Sequence, residues 1–217
     1  PFSRPGPVLS PVYDFVVVGA GPAGSRFARR AAGAGREVLL LESGTVGEPL
    51  ACSGHVSTDL WEYVDDGAAE RLRQNRVFGA RFHVGGPEST AYPFYKREPV
   101  SNVIDRVGLD RTLADLAEAA GADLREDHTV VSVDERDDRV VVEASLGDGG
   151  TERFESRMVA GCDGPTSRVR RALDLPDPGE LLHGVLGFTD EPAAEDFVDV
   201  HLTVPRFFAW RIPRGEA

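Results

Sequence analysis

Gly19-Ala20-Gly21-Pro22-Ala23-Gly24 is the segment that most narrows the folds open to this chain. Before it stands a short β-branched run, Val12 to Val18 (VYDFVVV). After it comes Pro22 to Ala34, whose Ala23, Phe27, Ala28, Ala31 and Ala32 fall on one helical face, closed by Gly33 and Gly35. An apolar run that meets glycine at once predicts a buried parallel strand, and glycines past an alanine stripe predict a helix end. Glu37 to Glu42 (EVLLLE) predicts a second buried strand, completing a βαβ unit with a right-handed crossover. In that setting each glycine has a task. Gly19 permits the tight turn, Gly21 lets the backbone approach a pyrophosphate, and Gly24 allows close packing of helix on strand. The helix N-terminus then faces the anion. Glu42 lies 18 residues past Gly24. A carboxylate there accepts hydrogen bonds from a ribose 2′- and 3′-OH and repels a 2′-phosphate. The pattern predicts a dinucleotide site.

Composition sets the outer bounds. The 217 residues amount to one large domain, or one domain and part of another. A net charge of −12 leaves no cationic surface for a phosphate backbone, so nucleic acid is excluded as a partner. The longest wholly apolar runs, Phe15 to Val18 and Val38 to Leu41, are far short of the roughly 20 residues a transmembrane helix needs. Lys96 is the only lysine among 24 basic residues, and acids cluster at Asp134-Glu135-Arg136-Asp137-Asp138. High negative charge with little lysine suits a salt-rich cytoplasm, where counterions screen self-repulsion; a GC-rich genome would also favour arginine. Cys52 and Cys162 form no CxxC or dense framework, which points to a reducing, cytoplasmic setting. His55 and His83 stand singly without ligand spacing, so no metal site is expected.

Further along, Ser57 to Val64 and Ala68 to Arg73 predict short helices, and Val77 to Val84, Thr90 to Phe94 and Val100 to Ile104 predict strands around a Gly85-Gly86-Pro87 break. Asp110 to Ala120 predicts a helix on the stripe Leu109, Leu113, Leu116, Ala117 and Ala120. Thr129 to Val133, Val140 to Leu146 and Phe154 to Ala160 predict a three-stranded meander. Ser167 to Leu173 predicts a helix, and strand-like runs follow near Val185, Val198 and Phe208. The leader Pro1 to Pro11 carries four prolines and no apolar signal core, and the stop soon after Pro213 reads as a fragment's end.

Two further motifs point to a family. Gly161-Cys162-Asp163-Gly164 precedes Thr166-Ser167-Arg168-Val169-Arg170-Arg171. Read alone, Asp163-Gly164 is a turn and Thr166 a helix cap. With the first motif, it resembles the GxDGxxSxxR stretch of FAD enzymes similar to p-hydroxybenzoate hydroxylase. Gly47-Glu48-Pro49-Leu50-Ala51-Cys52-Ser53-Gly54, the segment Val103 to Ala114, and Pro205 to Pro213 around Trp210 make the chain resemble the geranylgeranyl reductase family. Leu109, Phe208 and Ile212 depart from that family's pattern, and nothing after Asp163 matches its later Gly-Asp-Ala motif.

The resemblance implies an α/β fold: a Rossmann-like FAD/NAD(P)-binding domain with part of an inserted β-rich substrate domain. It places FAD-domain segments at 12–75 and 105–178, substrate-side strands at 76–104, and the start of a truncated substrate domain at 179–217. It implies FAD as cofactor, lined by Gly19, Gly21, Ala23, Gly24, Glu42, Cys52, Ser53, Gly54, Arg106, Val130, Asp163 and Gly164. Cys52 is the candidate catalytic residue, as proton donor or shaper of the site near the flavin ring. Asp163 would lie near the nucleotide's ribose and pyrophosphate, Arg106 would donate to pyrophosphate or ribityl oxygens, and Val130 would offer backbone contacts to adenine. On the residues alone, Arg106 could pair with Asp105 or Asp110 at a helix start, and Cys52 could be a buried small hydrophobe. The implied reaction is reduction of polyprenyl C=C bonds, as on archaeal ether lipids. Electrons would come from NAD(P)H or a ferredoxin-like donor, and the lipid substrate implies peripheral contact with a membrane. A flavin monooxygenase shares the first two motifs, and a non-catalytic nucleotide-binding remnant is the third reading.

Overall fold

The computed structural model of the chain describes residues 12–50, 52–86, 89–191 and 196–215. The leader read at 1–11 and Pro87 of the predicted break lie outside the described residues. In chain order the elements are β1 (Val12–Val18), α1 (Pro22–Gly33), β2 (Val38–Leu41), β3 (His55–Ser57), a 3-10 segment (Thr58–Tyr63), α2 (Ala68–Leu72), β4 (Arg73–Val77), β5 (Gly79–His83), β6 (Ala91–Tyr95), β7 (Ser101–Ile104), α3 (Arg106–Ala119), β8 (Asp123–Arg125), β9 (His128–Glu135), β10 (Val140–Leu146), β11 (Thr151–Gly161), α4 (Arg168–Ala172), β12 (Phe197–His201) and β13 (Ala209–Arg211). The described residues divide into two units: those of 12–49 with those of 110–183, and those of 50–109 with those of 184–215.

The first unit holds a six-stranded sheet in the order β8-β2-β1-β11-β10-β9. The neighbours from β8 to β11 are parallel; β11, β10 and β9 continue as the antiparallel meander. All four residues of β2 are buried, because both faces of the sheet are covered. Alternation still sorts them. Val16, Val18, Leu39 and Leu41 join Val130, Val142 and Phe154 in one core. Val17, Val38 and Leu40 pack with Ala28 and Ala32 of α1 and Ala114 and Ala117 of α3 in the other. Ala23 is exposed, off the packed stripe of α1. Helix α3 starts four residues before the predicted Asp110, because the Asp105 carboxylate accepts the Gly108 N–H at 3.0 Å and so caps the first turn.

The second unit contains a four-stranded sheet, β13-β12-β5-β6, and a three-stranded sheet, β3-β7-β4. The strand predicted over Val77 to Val84 is two strands in different sheets: β4 ends at Val77 and β5 opens at Gly79. Glycine is required at position 79 because a Cβ would strike the Phe94 carbonyl of β6. Strand β12 pairs in parallel with β5, setting Asp199 opposite Arg81 and His201 opposite His83. Arg81 Nε and Nη2 each donate to the Asp199 carboxylate at 2.7 Å, His83 Nε2 lies 3.1 Å from it, and the His83 ring stacks on His201 at 4.4 Å. No strand forms near Val185, which is 93% exposed and finds no neighbour to pair with. Among the described residues no helix is long and apolar enough to cross a membrane.

Candidate dinucleotide-binding site

Strand β1 delivers the chain to Gly19 in a left-handed conformation, φ 95°. The turn is held by the Gly19 N–H donating to Leu41 O at 2.7 Å and by the Cys162 N–H donating to Val18 O at 2.8 Å. A Cβ on Gly19 would sit 2.5 Å from Cys162 O, and one on Gly24 would strike Gly19 O and lie 3.2 Å from Cys162 Cβ. These two glycines are therefore required by the fold itself. Gly21 differs: at φ −66° it is conformationally ordinary, and a Cβ there would meet nothing within 4 Å. It is the N-cap of α1, with Pro22 at the first helical position and neither a side-chain cap nor an acidic residue in the first turn. The orphan N–H groups and positive end of a twelve-residue helix thus border open space.

Glu42 closes β2 beside this turn. Its Oε2 accepts the Ala20 N–H at 2.7 Å, and its Oε1 accepts from the N–H and hydroxyl of Ser43 at 2.8 and 2.9 Å. The carboxylate is aimed along the glycine turn with three of its roughly four acceptor positions engaged, leaving capacity for a sugar hydroxyl. Ser43, which orients it, carried no signal in the sequence beyond adjacency. Val130 is buried in the core, so only its backbone on the edge strand β9 is offered to a ligand.

The Asp163 carboxylate accepts from Ser167 Oγ at 2.5 Å, Arg168 N at 2.6 Å and Val169 N at 3.3 Å. Ser167 Oγ in turn accepts the Arg170 N–H at 2.9 Å, so Ser167 with Asp163, rather than the predicted Thr166, caps α4. What this segment presents outward is Gly164, at φ 78° with no atom within 4 Å of a Cβ position. The Cys162 thiol is pushed up by burial and by the neighbouring Asp163 charge, which leaves it a protonated packing group. The openings at Gly21 and Gly164, the uncapped helix end and the aimed carboxylate together fit a dinucleotide bearing a free 2′-hydroxyl.

Cys52, Ser53, Gly54 and Arg106 belong to the second unit. Gly54, at φ 78°, abuts β7 so closely that a Cβ would strike Ile104 O, and Ile104 N–H donates to Gly54 O at 2.9 Å. Ser53 Oγ accepts the His55 N–H at 3.4 Å. Arg106 opens α3 directly after the Asp105 cap, so Asp105 is engaged with the helix backbone. Among the described residues no group of three or more His, Cys, Asp or Glu could hold a metal ion.

The profile described as FAD binding domain matches residues 12–204. A digeranylgeranylglycerophospholipid reductase of Methanococcoides burtonii is 33% identical over 94% of this chain and 52% of its own length. The crystal structure of a geranylgeranyl bacteriochlorophyll reductase-like protein from Thermoplasma acidophilum superposes with a TM-score of 0.76 at 27% identity, over 94% of this chain and 54% of that one. An anhydrotetracycline hydroxylase from Streptomyces rimosus gives 0.62 at 28% identity, over 78% and 35%. The chain spans about half the length of the reductases it matches.

Proposed function

The chain belongs to the FAD binding domain family, and from that premise we propose that the whole protein is an FAD-dependent reductase of polyprenyl C=C bonds. The observation carrying this reading is the likeness, over 94% of the chain, to a digeranylgeranylglycerophospholipid reductase and to a solved geranylgeranyl reductase-like protein. When bound and reduced, FAD supplies the hydride. The residues of this chain bind and orient it. The α1 N-terminus and Gly21 receive the pyrophosphate, Glu42 accepts a ribose hydroxyl, Ala23 and the Asp163-Gly164 turn line the nucleotide, and Val130 offers its backbone to adenine. Cys52, Ser53, Gly54 and Arg106 serve the flavin end, Arg106 as a charged donor. The Cys52 thiol gives its proton to the alkene carbon that does not take the hydride, and is reprotonated from solvent. Segments 12–75 and 105–178 carry the cofactor, 76–104 and 179–217 the substrate side. NAD(P)H or a ferredoxin-like protein supplies electrons in the cytoplasm, at the surface of a membrane holding the lipid.

Glu42→Ala should weaken FAD retention by about 1–3 kcal/mol, the scale for stranding buried hydrogen-bonding groups; unchanged occupancy in a flavin titration would take Glu42 out of the site. The function itself is tested by single-turnover oxidation of the anaerobically reduced full-length enzyme with a geranylgeranyl lipid. Cys52→Ser should keep bound FAD and its reduction by dithionite, yet slow this step about tenfold or more, roughly 1.4 kcal/mol in the barrier. Equal rates would reduce Cys52 to packing. The likeness to a hydroxylase favours flavin monooxygenation as the second reading. Oxygen uptake dependent on a phenolic substrate, with no reoxidation by any polyprenyl lipid, would put that reading first.

A further inference from the structure

Three residues past Cys52, His55 makes a hydrogen bond that nothing in the dinucleotide site requires. Its Nε2 lies 2.6 Å from Ser101 Oγ, with Ser101 buried on β7 and His55 half-buried on β3. The two strands pair His55 with Val103 and Ser57 with Ser101, so the contact is a diagonal one across the ladder. Strand β3 has only three residues and is the edge of its sheet. A strand that short is marginal by its backbone alone. A one-residue slip would turn His55 to the opposite face and carry the preceding segment about 3.3 Å along the strand. The backbone bond between Gly54 and Ile104 anchors the entry to β3, and the His55–Ser101 bond adds a side-chain tie between β3 and β7 one diagonal along the ladder. Burial also pushes the His55 imidazole below its ordinary range, keeping it neutral near pH 7, with one nitrogen donating and one accepting.

We propose that His55, through its hydrogen bond to Ser101, is the positioning residue of the Cys52-Ser53-Gly54 loop and fixes the aim of the Cys52 thiol. The proposal rests on the reading of that loop as part of the flavin site. Displacements of about 1 Å can cost a reaction on the order of a hundredfold, so a side-chain tie beside a proton donor bears directly on turnover.

The test uses the full-length flavoprotein and reads the rate of iodoacetamide modification at Cys52 by mass spectrometry, with Cys162 as internal reference. Ser101→Ala and His55→Leu should each raise the Cys52 rate about tenfold and lower kcat for the geranylgeranyl lipid with KM little changed. His55→Gln, whose amide nitrogen reaches the position of Nε2, should stay within about twofold of wild type. Cys52 modification at the wild-type rate in Ser101→Ala would overturn the proposal, as would His55→Gln behaving like His55→Leu. Should His55→Leu fail to fold, Ser101→Ala and His55→Gln decide. If the reductase reading alone is wrong, the turnover arm is silent while the modification rates still separate; if the positioning role is wrong, those rates coincide whatever the turnover.

Discussion

Gly24→Ala should destabilise the whole protein by about 3 kcal/mol, whereas Gly21→Ala should leave stability within about 1 kcal/mol and instead lower FAD affinity about a hundredfold. At Gly24 the added methyl would strike Gly19 O and press on Cys162 Cβ at 3.2 Å. One is backbone and the other sits on a segment hydrogen-bonded to β1, so neither can yield without moving the helix off the sheet. Overpacking of that kind costs typically 1–3 kcal/mol and occasionally more. At Gly21 a methyl meets nothing and the backbone angles suit any residue. Its only protein cost is the mild loss of a favoured N-cap residue. On the proposed reading, the methyl would fill the space through which a pyrophosphate oxygen would reach the helix N–H groups. Losing one or two charge-assisted hydrogen bonds, at about 1.5–3 kcal/mol each, yields the hundredfold. Thermal melts of flavin-free protein and FAD titrations of the two variants make the comparison. Equal melting of Gly24→Ala and wild type would contradict the close contact of α1 with the turn, and wild-type FAD affinity in Gly21→Ala would remove the pyrophosphate from this helix end.

Asp199→Asn should cost about 3 kcal/mol and abolish an acid transition of the second unit. The Asp199 side chain is 7% exposed, and Arg81, 33% exposed, grips it through two bonds of 2.7 Å. Removing one charge from a buried pair costs roughly 3–5 kcal/mol, and the lower figure applies because Arg81 reaches water. Burial by itself would raise the Asp199 pKa, but the hydrogen bonds and charges of Arg81 and His83 outweigh it and hold the carboxyl below its ordinary range. A carboxyl whose folded value is depressed stabilises the fold at pH above the unfolded value, near 3.9. That stability is lost as pH falls through the folded value. Denaturant melts of wild type between about pH 5 and pH 2 should show the loss. The D199N protein should be weaker at neutral pH and flatter across the same window, and parallel curves for the two proteins would show that Asp199 does not titrate differently on folding.

The parts legible in the sequence are those whose causes lie close together along the chain. Val12 to Glu42 contains strand, turn, helix and second strand within one stretch, and both the steric demand on Gly19 and Gly24 and the aim of Glu42 arise from contacts inside the βαβ unit or at its border with Cys162. The meander is likewise visible, since β9, β10 and β11 are joined by short polar turns and pair with their sequence neighbours. Helix α4 is legible too, but the sequence points to Thr166 as its cap, because nothing local says that the Asp163 carboxylate turns inward to meet Ser167, Arg168 and Val169.

What only the tertiary structure decided is set by partners remote in sequence. Strand β8 spans three residues with no alternation to announce it and exists because β2 offers a parallel edge. Strand β3 likewise exists through β7, and the separation of β4 from β5 at Phe78 follows from their pairing with different sheets. Val185 lies in an apolar run that read as strand-like, yet it stays outside every sheet, because β propensity without a neighbouring edge satisfies no backbone hydrogen bond. Asp199 and Arg81 meet across 118 positions of sequence. Short-range sterics and hydrogen bonds are written in local residue order and determine the dinucleotide motif. Strand pairing and buried charge are settled only when distant segments compete for the same edge and the same burial.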